Sequence, residues 1–292
     1  MKLKYIIATV FSSLSIAISA QQAPEAYKIF NKEGKAISYE KMIEESNKAD
    51  VVFFGEIHNC ALTHWLEFKV LQSLQSLNPK ISVGMEMLEA DCQLIVDEYT
   101  HGVISSDRFE DECRLWPNYS TDYEPLVYFA REHHLPLIAT NVPRRYASVV
   151  KEKGLEYLDS LTAEAKRYLP PLPINYVENE DAKSGFALMG MLGKGNDTNP
   201  DYMSQAQAIK DATMAWHIAE NLGKGCHMIH FNGTFHSDSN NGIIPYLLQY
   251  RPSTSICVIR TVRQEDISQL DEEYQGLADY YICIPEDMSM SY

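Results

Sequence analysis

The sequence predicts an α/β fold, with a mostly parallel β-sheet flanked by helices and a helical insertion or cap. Three observations support this prediction. Short β-branched and aromatic segments alternate with longer segments of helical periodicity, as in β-α-β connections. Several of the short segments are almost continuously apolar, which is typical of strands covered on both faces. The 292 residues are sufficient for one large domain with a well-buried core.

The β-rich segments predict strands at Asp50–Gly55, Lys80–Met87, Leu135–Asn141, Cys226–Asn232, Ser255–Thr261 and Asp279–Ile284. Helical periodicity between them predicts helices at Leu62–Ser76, Ala90–Tyr99, Asp122–Glu132, Arg144–Lys153 and Tyr202–Asn221. Because only helical and loop patterns occur between Asn141 and Cys226, we expect a helical insertion at about 143–222. This insertion would lie within a single domain that covers residues 21–292.

The first twenty residues have the organisation of a secretory signal peptide. Met1–Lys4 is basic, Tyr5–Ile18 is largely apolar, and the small residues Ser19 and Ala20 precede the expected cleavage point. The apolar stretch is short for a membrane span, although an N-terminal anchor helix is the alternative. We therefore expect an exported protein that is periplasmic or associated with the cell envelope.

The composition excludes nucleic acid as a binding partner. Forty acidic residues against 25 basic residues give a formal net charge of −15, whereas nucleic-acid binding depends on Lys and Arg neutralising phosphates. The six cysteines permit disulfides in an exported protein, but none shows the C-x-x-C spacing of a zinc–thiolate site. The sequence also lacks the motifs of dinucleotide-binding proteins, P-loop proteins, serine hydrolases and zincins.

Four polar clusters follow predicted strands and form the candidate site. They are Gly55–His58 with His64, Gly84–Met87, Asn141 with Arg144, and Asn232–His236. Because the carboxyl ends of parallel strands lie along one edge of a sheet, we expect these clusters to meet in one crevice. The candidate haem- or metal-binding residues are Glu56, His58, His64, Glu86, Asn141, Arg144 and His236.

The chemistry of this residue set is compatible with more than one ligand. Imidazole and carboxylate groups suit a divalent first-row metal ion or a general acid–base pair, and they also suit the propionates and iron of a haem. Structural interpretations remain for individual residues: Glu56 as a cap of the next helix, and His64 as an ordinary buried histidine. Glu86 follows a largely apolar run, where a carboxylate is costly to bury without a partner.

Tyrosines provide candidate iron ligands, because phenolate is a known axial ligand of haem and the chain contains 18 tyrosines. Tyr119 and Tyr123 lie in or beside a turn-rich segment. Tyr176 and Tyr202 flank an apolar, Met- and Gly-rich stretch at 186–192. That stretch suits either a buried helix of the insertion or a lid over a flat ligand.

The order of these motifs resembles the ChaN-like haem-binding uptake proteins, which are related to the Tiki, TraB and erythromycin-esterase-like groups. That superfamily is marked by two G-x-x-H motifs and a pair of glutamates, which correspond here to Gly55–His58, Gly233–His236, Glu56 and Glu86. Further similarity at Ala139–Arg145 and Asp211–Ala215 extends the resemblance from about residue 50 to about residue 261.

The resemblance implies an exported haem-binding protein for iron or haem acquisition or handling, with a tyrosine on the iron. It also implies a homodimer that brings two haems together, in which a histidine of the partner subunit holds the propionates. Relatives are often lipoproteins, but no cysteine follows the apolar N-terminal stretch here, so membrane attachment is not expected. The alternatives are a metal-dependent hydrolase using the same crevice, with a divalent ion or an activated water, and an envelope protein that retains the pocket unused.

Overall fold

The structure, a computed structural model, describes residues 24–178, 199–223, 226–238 and 241–291, and a seven-stranded sheet forms its centre. The strands are β1 (Lys28–Asn31), β2 (Val51–Glu56), β3 (Ser82–Glu89), β4 (Leu137–Asn141), β5 (Met228–Gly233), β6 (Ile256–Gln264) and β7 (Tyr280–Pro285). Their spatial order is β1-β7-β6-β2-β5-β3-β4. All neighbouring pairs are parallel except β1 with β7, so the predicted mostly parallel sheet is confirmed.

Helices connect the strands and cover both faces of the sheet. They are α1 (Tyr39–Ser46), α2 (Ala61–Leu77), α3 (Gln93–Thr100), α4 (Ser106–Glu112), α5 (Glu124–Glu132), α6 (Arg144–Lys153), α7 (Ala163–Lys166), α8 (Pro200–Asn221) and α9 (Ile243–Tyr250). Local sequence determines where several of them begin. The Ser38 side chain accepts a hydrogen bond from the Lys41 amide at the start of α1, and Asn199 caps α8 in the same way through the Asp201 amide.

The alternation of side chains along the buried strands produces two cores. On β2, Val52 and Phe54 pack into the core that α1, α2, α3 and α5 cover. Val51 and Phe53 point to the opposite face and pack with α8 and α9. Since successive strand residues face opposite sides, a fully apolar strand is the expected consequence of burial on both faces.

The segment between β4 and β5, predicted as a helical insertion, contributes to a small separate core and to the core between the sheet and helices α8 and α9. Tyr146 and Val150 of α6 pack with Leu158, Leu169 and Ile209 in a separate apolar cluster. Most of α8, by contrast, packs directly against the sheet and returns the chain from β4 to β5. The division of the chain into one domain with an insertion stays a prediction.

Some elements and segments were not anticipated, and others lie outside the described residues. Strand β1 and helices α1, α4 and α9 had no counterpart in the sequence-based prediction. The expected signal peptide, residues 1–20, and the apolar stretch at 186–192 lie outside the described part of the chain. Among the residues that the structure describes, no helix is both long enough and apolar enough to cross a membrane.

Candidate functional site

The carboxyl edge of the sheet brings together the polar clusters that follow the strands. Glu56 is the last residue of β2, Glu86 lies in β3, Asn141 ends β4, and His236 lies in a short 3-10 turn after β5. Glu86 Oε2 accepts a hydrogen bond of 2.8 Å from the Gly233 amide, which ties β3 to the end of β5. The parallel topology therefore places the four clusters along one edge, as their positions after strands predicted.

A cleft of about 550 Å³ opens at this edge and is the candidate site. Its apolar lining comes from Leu115–Pro117, Val142, Ala147 and the side chain of Phe235, which is 82% exposed. Its polar lining includes His58, Glu86, Glu89, Asn141, Arg144, Gln207, Lys210 and His236. A concave site of this size with mixed lining is typical of small-ligand binding.

Among the residues that the structure describes, His58 Nε2 has no hydrogen-bond partner, so His58 presents a ring nitrogen at the cleft. Its Nδ1 donates to Glu56 Oε1 at 2.5 Å, and 38% of its side chain is exposed. Burial lowers the pKa of His58, but the Glu56 carboxylate outweighs burial and raises that pKa overall. The Nε2 atom lies against Gly233, where a Cβ would approach within 2.6 Å. The glycine of the second G-x-x-H segment therefore makes room for the histidine of the first.

Behind Glu56 lies a second, fully buried carboxyl group, that of Glu67 on α2. Burial and the neighbouring charge of Glu56 raise the pKa of Glu67 well above its ordinary value, which favours a protonated Glu67 whose O–H donates a hydrogen bond to Glu56. Burial also raises the pKa of Glu56, but hydrogen bonds from Glu67 and His58 outweigh it and keep this pKa below its ordinary value. Glu56 is therefore the ionised member of the pair.

His64 and Tyr123 complete the environment of these carboxyl groups. His64 Nδ1 lies 2.9 Å from Glu67 Oε2, and its Nε2 donates to the His58 carbonyl oxygen at 3.1 Å. Tyr123 donates to Glu56 Oε1 at 2.7 Å. Oxygen and nitrogen atoms of Glu56, His64 and Glu67 lie within 4.8 Å of one another, so these three residues could hold a metal ion.

His236 lies between two carboxylates and is buried, with 5% exposure. Its Nδ1 donates to Asp211 Oδ1 at 2.5 Å and its Nε2 donates to Glu86 Oε1 at 3.2 Å. Burial lowers the pKa of His236, but the two carboxylates outweigh burial and raise it to about 10. Burial likewise opposes ionisation of Glu86, whose pKa the His236 charge lowers to about 2. His236 is therefore an imidazolium with both N–H groups occupied.

Asn141 and His230 hold the strand ends together. Asn141 Nδ2 donates to the Glu86 carbonyl oxygen at 2.9 Å. His230 is buried between Thr140 and Asn232, and burial lowers its pKa to about 4. The absence of a side chain at Gly84 is required here, because a Cβ would lie 2.6 Å from His230 Cδ2. These contacts give His230 a structural role.

Arg144 belongs to an ionic cluster on the rim of the cleft. Its backbone amide donates to Glu89 Oε2 at 3.1 Å and its guanidinium pairs with the same carboxylate. Arg114 also donates to Glu89, at 3.0 Å, and pairs with Asp91, which in turn pairs with Arg145. Three arginines around two carboxylates leave this rim cationic.

The four candidate iron-ligating tyrosines lie outside the lining of the cleft. Tyr119 and Tyr123 are buried within a π-helical turn, Tyr119–Tyr123, and burial raises the pKa of both phenols. Tyr176 and Tyr202 line another cavity, and the Tyr176 hydroxyl lies 3.0 Å from Ser204 Oγ. The identity of an iron-ligating tyrosine stays a prediction.

The sequence analysis did not identify several charged residues that pair with the predicted site residues. Glu67 and Asp211 pair with the site histidines, while Glu89 and Arg114 form the rim with Arg144. One signal was available: His64 and Glu67 are three residues apart in a helical pattern and therefore share a helix face. Asp211 had entered only as part of a segment similar to a known family.

Comparison with known proteins identifies the family. Residues 42–247 match a family described as haem-binding uptake, Tiki superfamily, ChaN. The chain belongs to this family. The structure of this ChaN-family protein is similar to that of ChaN of Campylobacter jejuni, described with cofacial haem binding, with a TM-score of 0.64 and 21% identity over 88% of this chain and 96% of that one.

Two further proteins are similar to this chain. The fold is similar to that of an erythromycin esterase in its open conformation, with a TM-score of 0.50 and 12% identity, covering 92% of the ChaN-family chain and 99% of the esterase. RETICULATA-RELATED 5, a chloroplastic protein of Arabidopsis thaliana, is 23% identical over 193 residues. That match covers 62% of this chain but only 26% of the plant protein. At these identities, the structural likenesses show a shared fold.

Proposed function

We propose that this ChaN-family protein binds haem in the cleft at the carboxyl edge of the sheet. The observation that carries the proposal is the composition of the cleft, which combines an aromatic and apolar wall with cationic groups at one rim. A haem has a flat apolar ring and two anionic propionates, so it requires both kinds of surface. Membership of a family of haem-binding uptake proteins supports the same ligand.

The residues present fit a haem. Trp116, Val142 and Phe235 offer apolar surface for the ring, and the exposure of Phe235 leaves its aromatic face available to a ligand. Arg144 and Lys210 supply positive charge for the propionates, and His58 supplies a ring nitrogen. Bound haem would supply an iron centre that takes an axial ligand and exchanges electrons.

Haemin titration of the purified protein, followed by absorbance, tests this proposal. Phe235→Ala and His58→Ala should each weaken binding about ten- to hundredfold, since each removes a direct contact. Tyr128→Ala, which removes an exposed aromatic side chain from α5, is the matched control and should bind like the wild type. Unchanged affinity in both cleft variants would overturn the cleft assignment.

The iron ligand and the dimer belong to the same proposal and need separate measurements. A tyrosinate ligand predicts a high-spin ferric spectrum that one of the variants of Tyr119, Tyr123, Tyr176 or Tyr202 should abolish. Retention of that spectrum in all four variants would exclude them as ligands. Light scattering with and without haemin tests the proposed homodimer, whose mass should double on haem binding.

Hydrolysis is the second candidate function, and the His58–Glu56 pair favours it. A half-buried imidazole held by an ionised carboxylate is the arrangement of a general base, with Nε2 left free to take a proton from water. A divalent ion at Glu56, His64 and Glu67 would be the metal-dependent form. Elemental analysis and an assay of p-nitrophenyl acetate hydrolysis test this function. The wild type should contain a stoichiometric metal and be active, and Glu56→Gln should lose both. A wild type that is metal-free and inactive would contradict the hydrolase hypothesis.

We also propose that the protein is exported and that residues 1–20 are removed. The support is the basic start, the apolar stretch and the small residues before position 21. Mass spectrometry of the protein from its native cells should find a mature N-terminus close to residue 21. Recovery of Met1–Lys4 in the mature protein would refute the cleavage.

A further inference from the structure

A second cavity, of about 360 Å³, lies between helices α1 and α2 and shares no lining residue with the cleft. One wall is a face of α2, because side chains three or four residues apart lie on the same side of a helix. Five side chains form this wall: Trp65, Lys69, Gln72, Ser73 and Ser76. The start of α1 and the residue before β1 contribute most of the remaining lining. Small-ligand sites have volumes of about 300–1,000 Å³, so this cavity is large enough for a ligand of its own.

Aromatic rings provide much of the surface of this cavity. Tyr27, Tyr39 and Trp65 line it, together with the fully buried side chain of Leu66. The Trp65 side chain is 48% exposed, so a large part of its apolar surface is open to a ligand. The Tyr39 hydroxyl lies 2.9 Å from Ser73 Oγ, and this hydrogen bond joins α1 to α2 across the cavity. The cavity therefore combines a fixed position with flat apolar surface.

Polar groups border the aromatic rings, and their charges balance. Lys69 Nζ lies 5.8 Å from the centroid of the Trp65 ring and donates to Gln72 Oε1 at 3.1 Å. Glu40 provides a carboxylate from α1, so the lining carries one negative and one positive charge. Because the Lys69 ammonium already lies against Trp65, a cationic ligand would be repelled from this ring. An anionic ligand would meet the Glu40 carboxylate. The lining therefore favours a neutral ligand that both donates and accepts hydrogen bonds.

We propose that this cavity binds a neutral saccharide, with a pyranose ring stacked on Trp65. A pyranose ring has C–H groups on its faces and hydroxyl groups around its edge, so it matches an aromatic surface bordered by polar side chains. Lys69 and the amide of Gln72 donate hydrogen bonds to the hydroxyl groups, and the Glu40 carboxylate accepts them. The site is separate from the cleft and does not depend on which ligand the cleft takes.

Saturation-transfer-difference NMR of the full chain tests binding, with maltotriose, cellotriose and tri-N-acetylchitotriose as probes. We expect at least one of these trisaccharides to bind with a Kd of about 1 mM or below. Its ring C–H protons should receive the largest transfer, because they contact the aromatic side chains. The absence of binding by all three trisaccharides at about 10 mM would overturn the proposal.

Choline chloride is the cationic comparison in the same experiment. Aromatic rings beside a carboxylate also form cages for quaternary ammonium groups, and the position of Lys69 argues against that ligand here. We therefore expect no transfer to choline under conditions in which a trisaccharide binds. Binding of choline without binding of any trisaccharide would identify a cation cage and would overturn the proposal.

Substitutions assign the binding to this cavity. Trp65→Ala should weaken trisaccharide binding at least about tenfold by removing the stacking surface, and Gln72→Ala about two- to tenfold by removing one hydrogen bond. Neither side chain is buried, so both variants should fold, and the thermal midpoint checks this. Tyr157→Ala is the matched control: Tyr157 is 41% exposed and has Lys153 Nζ 4.2 Å from its ring centroid, but it does not line the cavity. It should bind like the wild type. Unchanged affinity in both Trp65→Ala and Gln72→Ala would overturn the assignment.

Discussion

The His236 site makes a prediction about stability that can be worked out from its contacts. In His236→Gln, Glu86 and Asp211 lose the charge that lies between them while both remain buried. A pKa displaced from 6.5 to about 10 corresponds to about 5 kcal/mol, since one pKa unit is worth about 1.4 kcal/mol. Removing one partner of a buried ion pair costs about 3–5 kcal/mol in general. We therefore expect the variant to lose about 3–5 kcal/mol of unfolding free energy at pH 6.

The predicted loss of stability depends on pH, and the direction of this dependence follows from the two pKa shifts. Because the folded-state pKa of His236 is raised, its contribution to stability is fully present below the unfolded pKa of 6.5 and is lost as the pH rises through about 10. The pKa of Glu86 is lowered, so its contribution is present above 4.5 and is lost as the pH falls through about 2. The difference between wild type and variant should therefore be largest between about pH 4.5 and pH 6.5 and shrink towards pH 10.

Urea unfolding at pH 6, 8 and 10 measures this difference directly. His101→Gln, which replaces an exposed histidine at the end of α3, is the matched control and should change stability by less than about 0.5 kcal/mol. A loss in His236→Gln below about 1 kcal/mol at pH 6, or a loss that is equal at pH 6 and pH 10, would refute the reasoning that His236 is a stabilising imidazolium.

Two further predictions concern the Glu56 side of the site. In Glu67→Gln the free energy of unfolding, measured in urea, should fall by less than about 1 kcal/mol, because the amide replaces a protonated carboxyl group. In Glu56→Gln it should fall by at least about 2 kcal/mol, because an ionised acceptor is removed. The reverse order would contradict the protonation assigned to the pair. Gly233→Ala should displace the imidazole of His58 from Glu56, because the new Cβ would lie 2.6 Å from Nε2. An NMR titration should then show the pKa of His58 falling, and an unchanged value would contradict the contact.

The fold was predictable from the sequence where the burial of a strand requires a recognisable pattern of apolar residues. Val51–Phe54 is continuously apolar because both faces of β2 are covered, and this pattern is read easily as a central parallel strand. Strand β1 has only four residues, of which Ile29 and Phe30 are buried, so its pattern is too short to distinguish it from a loop. Its pairing with β7 depends on chain closure over more than 240 residues, which no local pattern encodes.

The candidate site was predictable from the sequence only in part, because some of its residues lie on helices and in turns and not at strand ends. Glu56 ends β2, Glu86 lies in the C-terminal half of β3 and His236 follows β5. Parallel topology brings residues at these positions to the same edge of the sheet. Glu67 and Asp211 reach the site from α2 and α8, and whether they face it depends on how those helices pack. The Tyr123 hydroxyl points to Glu56 because a π-helical turn precedes α5, a local geometry that the turn-rich sequence did not specify.

The two histidines of the G-x-x-H segments have different roles because their partners differ. His236 donates from both ring nitrogens to buried carboxylates, so it cannot bind a metal ion or accept a proton without giving up one of those contacts. Within the described part of the chain, His58 forms a side-chain hydrogen bond through Nδ1 alone, and it keeps partial exposure at the cleft. His236 therefore keeps Glu86 ionised and the strand ends joined, and His58 is the one that can contact a ligand. A loss of ligand binding in a His58 variant that folds normally is thus the more informative result, whether the ligand is haem or a hydrolysable substrate.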